Sequence, residues 1–285
     1  MRKQCLLFFL SMVFISLGTL WSQNPPESST LHKEPLEFLL KELALETQHS
    51  PQNASSWFYR GLVKQALGQW NEAITDFNTA MQLNPLDEKC YWMRARCYVN
   101  ITRYLDALPD YHQALKLAPE NLELFQERGA LRHFLNDLQG ALSDYTRVLT
   151  VKNTDPILFY QRGMIKQTLQ QFEEAIQDYN ESIRISPEKE FWWYQRGQCK
   201  QLLNHVPEAI ADYQEALRLN PLNSFIYYSL ASAYEMNGAS ETAKQNYKKY
   251  LELTKDSKDR YIIQSQERIF QAFPDLKEKK KEEKK

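Results

Sequence analysis

Six alanines stand 34 residues apart without slippage, at Ala73, Ala107, Ala141, Ala175, Ala209 and Ala243. A fixed period of that length means one supersecondary unit copied and stacked, so most of the chain is expected to be a solenoid with a core distributed along the stack. An array of this kind catalyses little and binds much, through an extended inner face.

Other columns keep the same step. Four residues after each alanine comes an aromatic: Phe77, Tyr111, Tyr145, Tyr179, Tyr213 and Tyr247. Sixteen residues before each alanine lies another: Trp57, Tyr91, Phe125, Phe159, Trp193 and Tyr227. Four residues further on the residue is small: Gly61, Ala95, Gly129, Gly163, Gly197 and Ala231. Prolines close most units, at Pro85, Pro119, Pro187 and Pro221, and Pro51 suggests a degenerate half-repeat ahead of the first.

These columns resemble the tetratricopeptide repeat family, whose W-x2-L-G-x2-Y, A-x3-F and terminal proline pattern recurs at this period. With position 1 at Ala54, six full repeats begin at Ala54, Glu88, Leu122, Pro156, Glu190 and Ser224, and the resemblance covers residues 54–256. It implies an all-α, right-handed superhelical solenoid of antiparallel helix pairs, helix A then helix B in each repeat. Two departures stand out: position 7 is mostly arginine rather than leucine, and repeats three and six have Asn153 and Lys255 in place of the closing proline.

Packing explains the columns. The small residues at positions 8 and 20 let helices A and B approach, and the aromatics at 4 and 24 are expected to fill the space between neighbours. The closing prolines end helix B. Pro156 and Pro207 fall near helix starts, where a missing N–H is harmless, whereas Pro109 lies inside helix B of repeat two and predicts a local distortion. Arg60, Arg94, Arg128, Arg162 and Arg196 at position 7 are matched by Asp76, Asp110, Asp144, Asp178 and Asp212 at position 23; repeat six changes both, to Leu230 and Asn246. The matching predicts a partly buried Arg–Asp pair, within a repeat or across adjacent ones, and argues against a basic ladder for phosphates.

The ends read differently. Residues 1–22 start Met1-Arg2-Lys3 and continue with an uncharged apolar run from Cys5 to Trp21, the pattern of a signal peptide or a short N-terminal anchor. Either assigns the repeats to an exported location, a periplasm or an extracellular or secretory lumen. Residues 23–34 read as a linker, 35–53 as an N-terminal capping helix or half-repeat, 257–274 as a C-terminal capping helix, and 275–285 as a charged disordered tail.

Composition narrows the chemistry. A net charge of −1 offers no electrostatic capture of nucleic acid, and membrane contact is expected only through the N-terminal segment, if it is retained. Cys90, Cys97 and Cys199 occupy repeat positions and suggest no disulfide framework; the histidines show no metal-ligand spacing. Nearly every glycine is accounted for by a repeat position, leaving none for a phosphate loop. No enzyme, cofactor or metal is expected.

In the family, helix A lines the concave face with positions 2, 5, 9 and 12. The resemblance therefore assigns partner binding to Trp92, Ile157, Tyr160, Gln167, Phe191, Tyr194, Gln201, Phe225 and Tyr228, an aromatic strip flanked by glutamines, densest in repeats four to six. Such a surface suits a protein or peptide partner. Position 5 tyrosines also have a packing reading, and the family's lysine, asparagine and arginine clamp for C-terminal carboxylates is absent. The expectation is a non-catalytic exported scaffold within an envelope or secretion assembly; the alternative is a self-associating or spacer protein with no dedicated groove.

Overall fold

A computed structural model describes residues 33–277. Fourteen α-helices and no strand occur among the described residues. An opening helix, α1 (Lys33–His49), precedes six helix pairs: α2 (Ala54–Ala66) with α3 (Trp70–Leu83), α4 (Glu88–Asn100) with α5 (Tyr104–Leu117), α6 (Leu122–Phe134) with α7 (Leu138–Val151), α8 (Pro156–Thr168) with α9 (Phe172–Ile185), α10 (Glu190–Leu202) with α11 (Val206–Leu219), and α12 (Ser224–Met236) with α13 (Ser240–Thr254). Helix α14 (Arg260–Ala272) follows. The signal or anchor reading of residues 1–22 lies outside the described residues, as do most of the linker and of the charged tail.

The chain divides into two compact units, one ending at Pro119 and one beginning at Glu120. In the first, each helix from α1 to α4 packs on its successor; in the second, each helix from α6 to α13 does. This is the solenoid of antiparallel helix pairs that the repeat ladder predicts.

Local chemistry fixes the boundaries. Each helix A starts at position 1 of its repeat because the residue before it caps it: Asn53, Asp87, Asn121, Asp155 and Asn223 accept backbone N–H bonds from the first turn, while Lys189 in repeat five has no capping side chain. Each helix A ends in the same reversal. In repeat one the N–H of Gln69 reaches the carbonyl of Lys64 and that of Gly68 reaches Gln65, a Schellman closure with position 15 left-handed. Glycine meets that demand at Gly68 and Gly238; Thr102, Asn136, Gln170 and Asn204 meet it with φ of 60–63°.

The glycines of position 8 have one neighbour in common. A Cβ on Gly163 would lie 2.8 Å from Cε1 of Tyr179, and on Gly197 2.8 Å from the same atom of Tyr213. The position 24 ring thus lies on the position 8 backbone of its own repeat and also reaches the next repeat, Phe77 packing with Cys97 and Tyr179 with Cys199. The position 4 aromatics lie at the junctions between repeats, as expected: Phe159 packs with Tyr145, Val148 and Leu149 of the preceding repeat. Trp57 and Trp193 cover the guanidinium groups of Arg60 and Arg196 at 4.4 and 4.8 Å, and their indole N–H groups donate to the carbonyls of Pro51 and Pro187. Tyr91 likewise donates to Pro85.

Pro109 does not break its helix: α5 runs from Tyr104 to Leu117 with the proline inside. Its ring removes the N–H that would reach the carbonyl of Leu105, and both residues are exposed, so water can serve that carbonyl. Pro156 and Pro207 occupy the first turns of α8 and α11, as expected.

Thr102 is the least suited of the left-handed residues because it is β-branched. Thr102→Gly is expected to raise stability by about 0.5–1 kcal/mol, since relief of about 1–2 kcal/mol of left-handed strain is partly offset by about 0.5–1 kcal/mol of glycine entropy. A higher urea midpoint at unchanged slope checks it.

Candidate functional site

The site is built on helix A, so what helix A keeps for packing decides what it can present. Arginine at position 7 is committed inward. Arg162 donates through Nε and Nη2 to the two carboxylate oxygens of Asp178, at 2.8 and 2.6 Å, and the same two-pronged pair recurs at Arg60–Asp76, Arg94–Asp110, Arg128–Asp144 and Arg196–Asp212. The pair lies within one repeat. Nη1 then reaches backward: to Asn78 from Arg94, to Thr146 from Arg162, to Asn180 from Arg196, and to Thr47 of α1 from Arg60.

A second cation, at position 11, escaped the sequence reading. Lys64, Arg132, Lys166 and Lys200 each contact the aspartate of their own repeat, at 2.7 or 2.8 Å. Repeat two has Tyr98 there. Burial pushes the carboxyl of Asp110 above the ordinary carboxylate range, against the pull of Arg94.

Position 12 is tied to position 24. The hydroxyl of Tyr179 donates to Gln167 at 2.6 Å and that of Tyr213 to Gln201 at 2.8 Å; Tyr247 donates to Glu235. Burial raises the pKa of all three tyrosines, so they remain neutral donors. Gln167 and Gln201 therefore serve the fold with their carbonyls and face the next repeat with their amide nitrogens, toward Gln195 and Ser232. In repeat one the arrangement fails: Phe77 has no hydroxyl and Met93 stands where Gln195 does, and the buried Nε2 of Gln65 has no partner.

The position 5 tyrosines are half-buried. Tyr160 packs on Tyr179 and on Phe191, at 5.9 and 5.2 Å between ring centroids, Tyr194 packs on Tyr213, and Tyr228 packs on Tyr247 and Tyr250. Tyr194 also meets Ser229 of the following repeat at 3.3 Å. Position 2 is the exposed end of the strip: Ile157, Phe191 and Phe225 are 59, 40 and 56% exposed. Trp92 lies half-buried in the first unit with Arg96 over its ring, and the other eight assigned residues lie in the second unit.

A row missed by the sequence reading completes the surface. Positions 2, 6, 9 and 13 lie on one stripe of an α-helix, within about 60°, whereas positions 5 and 12 turn toward helix B. Position 13 presents Thr168, Leu202 and Met236, all exposed. None of the residues at these four positions in repeats four to six is charged, although a quarter of the chain is. Between α8 and α10 the surface dips into a depression of about 390 Å³, lined by Met164, Gln167, Thr168, Gln195 and Leu202 with Gln170 and Phe172.

The three described cysteines, Cys90, Cys97 and Cys199, are buried, and burial pushes their thiols up to about 12. Among the described residues no cluster of metal-ligating side chains occurs, and no helix is long and apolar enough to cross a membrane.

Tetratricopeptide repeat models match residues 54–87, 157–189, 191–223 and 212–245. The chain belongs to the tetratricopeptide repeat family. Its fold is shared by MamA from Desulfovibrio magneticus RS-1, at 17% identity and a TM-score of 0.57 over 60% of this chain and 97% of that one. The C-terminal part of a TPR repeat-containing protein from Cytophaga hutchinsonii matches at 14% identity and a TM-score of 0.64, over 82% of this chain and 99% of that one. A chain of the APC/C hetero-tetramer Cut9-Hcn1 matches at 15% identity and a TM-score of 0.51, over 84% of this chain and 46% of that one. At such identities the likeness is one of fold. No curated protein sequence matches the chain. Repeat arrays of this family are protein-interaction scaffolds and are typically non-catalytic.

Two predictions follow from the packing of helix A. Arg94→Ala strands Asp110 and is expected to cost about 3–5 kcal/mol; Arg162→Ala is expected to cost measurably less, because Lys166 still holds Asp178, and urea unfolding of the two variants compares them. Gln65→Leu removes an orphaned amide and is expected to raise stability by about 1–2 kcal/mol, read as a higher melting temperature.

Proposed function

We propose that this protein is an exported, non-catalytic scaffold that binds a protein partner on the helix A face of repeats four to six. The observation that carries the reading is the row of Ile157, Phe191 and Phe225, large apolar side chains that recur once per repeat and stay in water. Packing does not require their exposure. Surfaces of this kind, apolar anchors set among polar groups, are what protein interfaces bury. Export rests on the basic start and apolar run of residues 1–22.

The groove is tested best at its exposed row, since Tyr160, Tyr194 and Tyr228 also hold helix B. A triple variant, Ile157→Ser, Phe191→Ser and Phe225→Ser, is expected to melt within a few degrees of the parent and to lose at least about tenfold in partner affinity, the scale of removing anchoring side chains. Capture from native extract, followed by titration of the captured partner, measures this. A partner held equally by both proteins moves the binding surface elsewhere. Export is checked by cell fractionation beside a chain that lacks residues 1–22: both forms remaining in the cytoplasm rules it out.

A further inference from the structure

The uncharged stripe in repeats four to six has two apolar edges and a polar middle. One edge is position 2, with Ile157, Phe191 and Phe225; the other is position 13, with Leu202 and Met236. Eleven residues of helix separate the edges, about 16 Å at 1.5 Å per residue. Between them positions 6 and 9 carry Gln161, Gln195, Gln198, Ser229 and Ser232, relieved only by Met164. Contacts join the three repeats: Phe191 lies on Tyr160, Ser229 meets Tyr194, and Gln201 donates to Ser232.

From this arrangement we infer that the ligand of the face is an extended, uncharged segment of another polypeptide, with apolar side chains on both edges of its backbone. The inference rests on the interaction reading above and specifies the ligand class of that same surface. Three features select it. An extended backbone has free N–H and C=O groups, which the band can pair with the capacity that remains after Gln195, Gln198, Ser229 and Ser232 have made their bonds within the protein; a partner helix has already bonded its own. Successive side chains of an extended segment point to opposite sides, so one lying over the middle band would send alternate residues to the two apolar edges. The depression of about 390 Å³ beside Leu202 and Met164 accepts one such side chain as an anchor.

Charge sets the specificity. A charged side chain entering this face would lose its water with no opposite charge on the stripe to meet it. The neighbouring cations Lys166 and Lys200 are held by Asp178 and Asp212, and Glu235 accepts the hydroxyl of Tyr247. Repeats two and three differ, with Lys89 and Arg96, then Glu123 and Glu127, at stripe positions, and repeat one is uncharged there (Ser55, Tyr59, Leu62 and Ala66) but stands alone, so consecutive uncharged stripes belong to the C-terminal three repeats.

The test uses the full chain and biotinylated, amide-capped decapeptides on a sensor surface. One peptide set alternates Leu or Phe with Ser and Asn; two further sets carry Glu or Lys at the apolar places. The uncharged set is expected to bind, with an affinity changed less than about twofold between low and high salt, as befits contacts without ion pairs. Leu202→Glu, at an exposed position, is expected to weaken it at least about tenfold, the scale of losing one buried apolar anchor, at unchanged melting temperature. Better binding of a charged set, or binding indifferent to Leu202→Glu, overturns the inference and leaves the interaction reading intact. Failure of every peptide overturns it too: if the captured partner is still lost on the triple serine variant, only the ligand class is wrong, and if it is retained, both readings are wrong.

Discussion

In an array of repeats each hairpin touches only its neighbours, so its geometry has to be set locally instead of by a common core. The arginine of position 7 sets it. Its planar fork grips a buried aspartate on helix B with two N–H groups, which fixes helix A against helix B. In repeats one, two, four and five a third N–H reaches back to the preceding element, and in repeats one and five an indole at position 4 closes over the guanidinium. One side chain thus orients its own hairpin, the junction before it and the aromatic roof. A buried ion pair contributes little net stability once desolvation is counted; a rigid bidentate fork does fix orientation, which lysine could not do equally well. Repeat six shows the apolar substitute. Leu230 is buried in the arginine's place, and Asn246 turns its amide to Thr242 on its own helix.

A chain of requirements runs from that pair to the binding face. Close approach of the two helices puts the position 24 ring on the position 8 backbone, where glycine or alanine is the affordable residue. The ring's hydroxyl is then buried and needs an acceptor, which position 12 supplies in repeats four to six. Position 5 packs on the same ring from the other side. In repeats four to six the stripe of positions 2, 6, 9 and 13 is the side of helix A turned away from helix B, and its amides and hydroxyls keep hydrogen-bonding capacity beyond their bonds to Gln167, Tyr194 and Gln201.

The architecture was legible in the sequence because a translational repeat turns each packing constraint into a column. The alanine, glycine and aromatic columns marked the helix pairs, and the joint change at Leu230 and Asn246 pointed to the Arg–Asp pair. What stayed hidden were residues whose partner is set by rotation about the helix axis. Position 11 holds lysine, arginine or tyrosine and makes no uniform column, yet its lysines and its arginine, one turn beyond position 7, meet the same carboxylate. The amides of Gln167 and Gln201 suit a peptide backbone, but nothing in the sequence shows that the hydroxyls of Tyr179 and Tyr213 occupy their carbonyls. Leu202 and Met236 were passed over because their column also holds Ala66, Asn100 and Thr168, so only their exposure on the folded helix marks them.

The charge distribution carries the last step. Helix B turns Glu173, Glu181, Arg184, Glu208, Glu215 and Arg218 to solvent in repeats four and five, as a soluble array should. On the opposite helices of the same repeats the exposed stripe excludes charge and retains Ile157, Phe191 and Leu202 at its edges. Exposed apolar side chains are an aggregation liability unless polar neighbours keep the patch wet, and the glutamines and serines of positions 6 and 9 do that without introducing a charge. Solubility alone would be served better by a charged residue at those places, as Arg96 in repeat two and Glu127 in repeat three show. A face that stays hydrated by amides and hydroxyls can release its water to an uncharged backbone and its side chains while still resisting its own charged surface. Only repeats four to six carry that combination in three consecutive units.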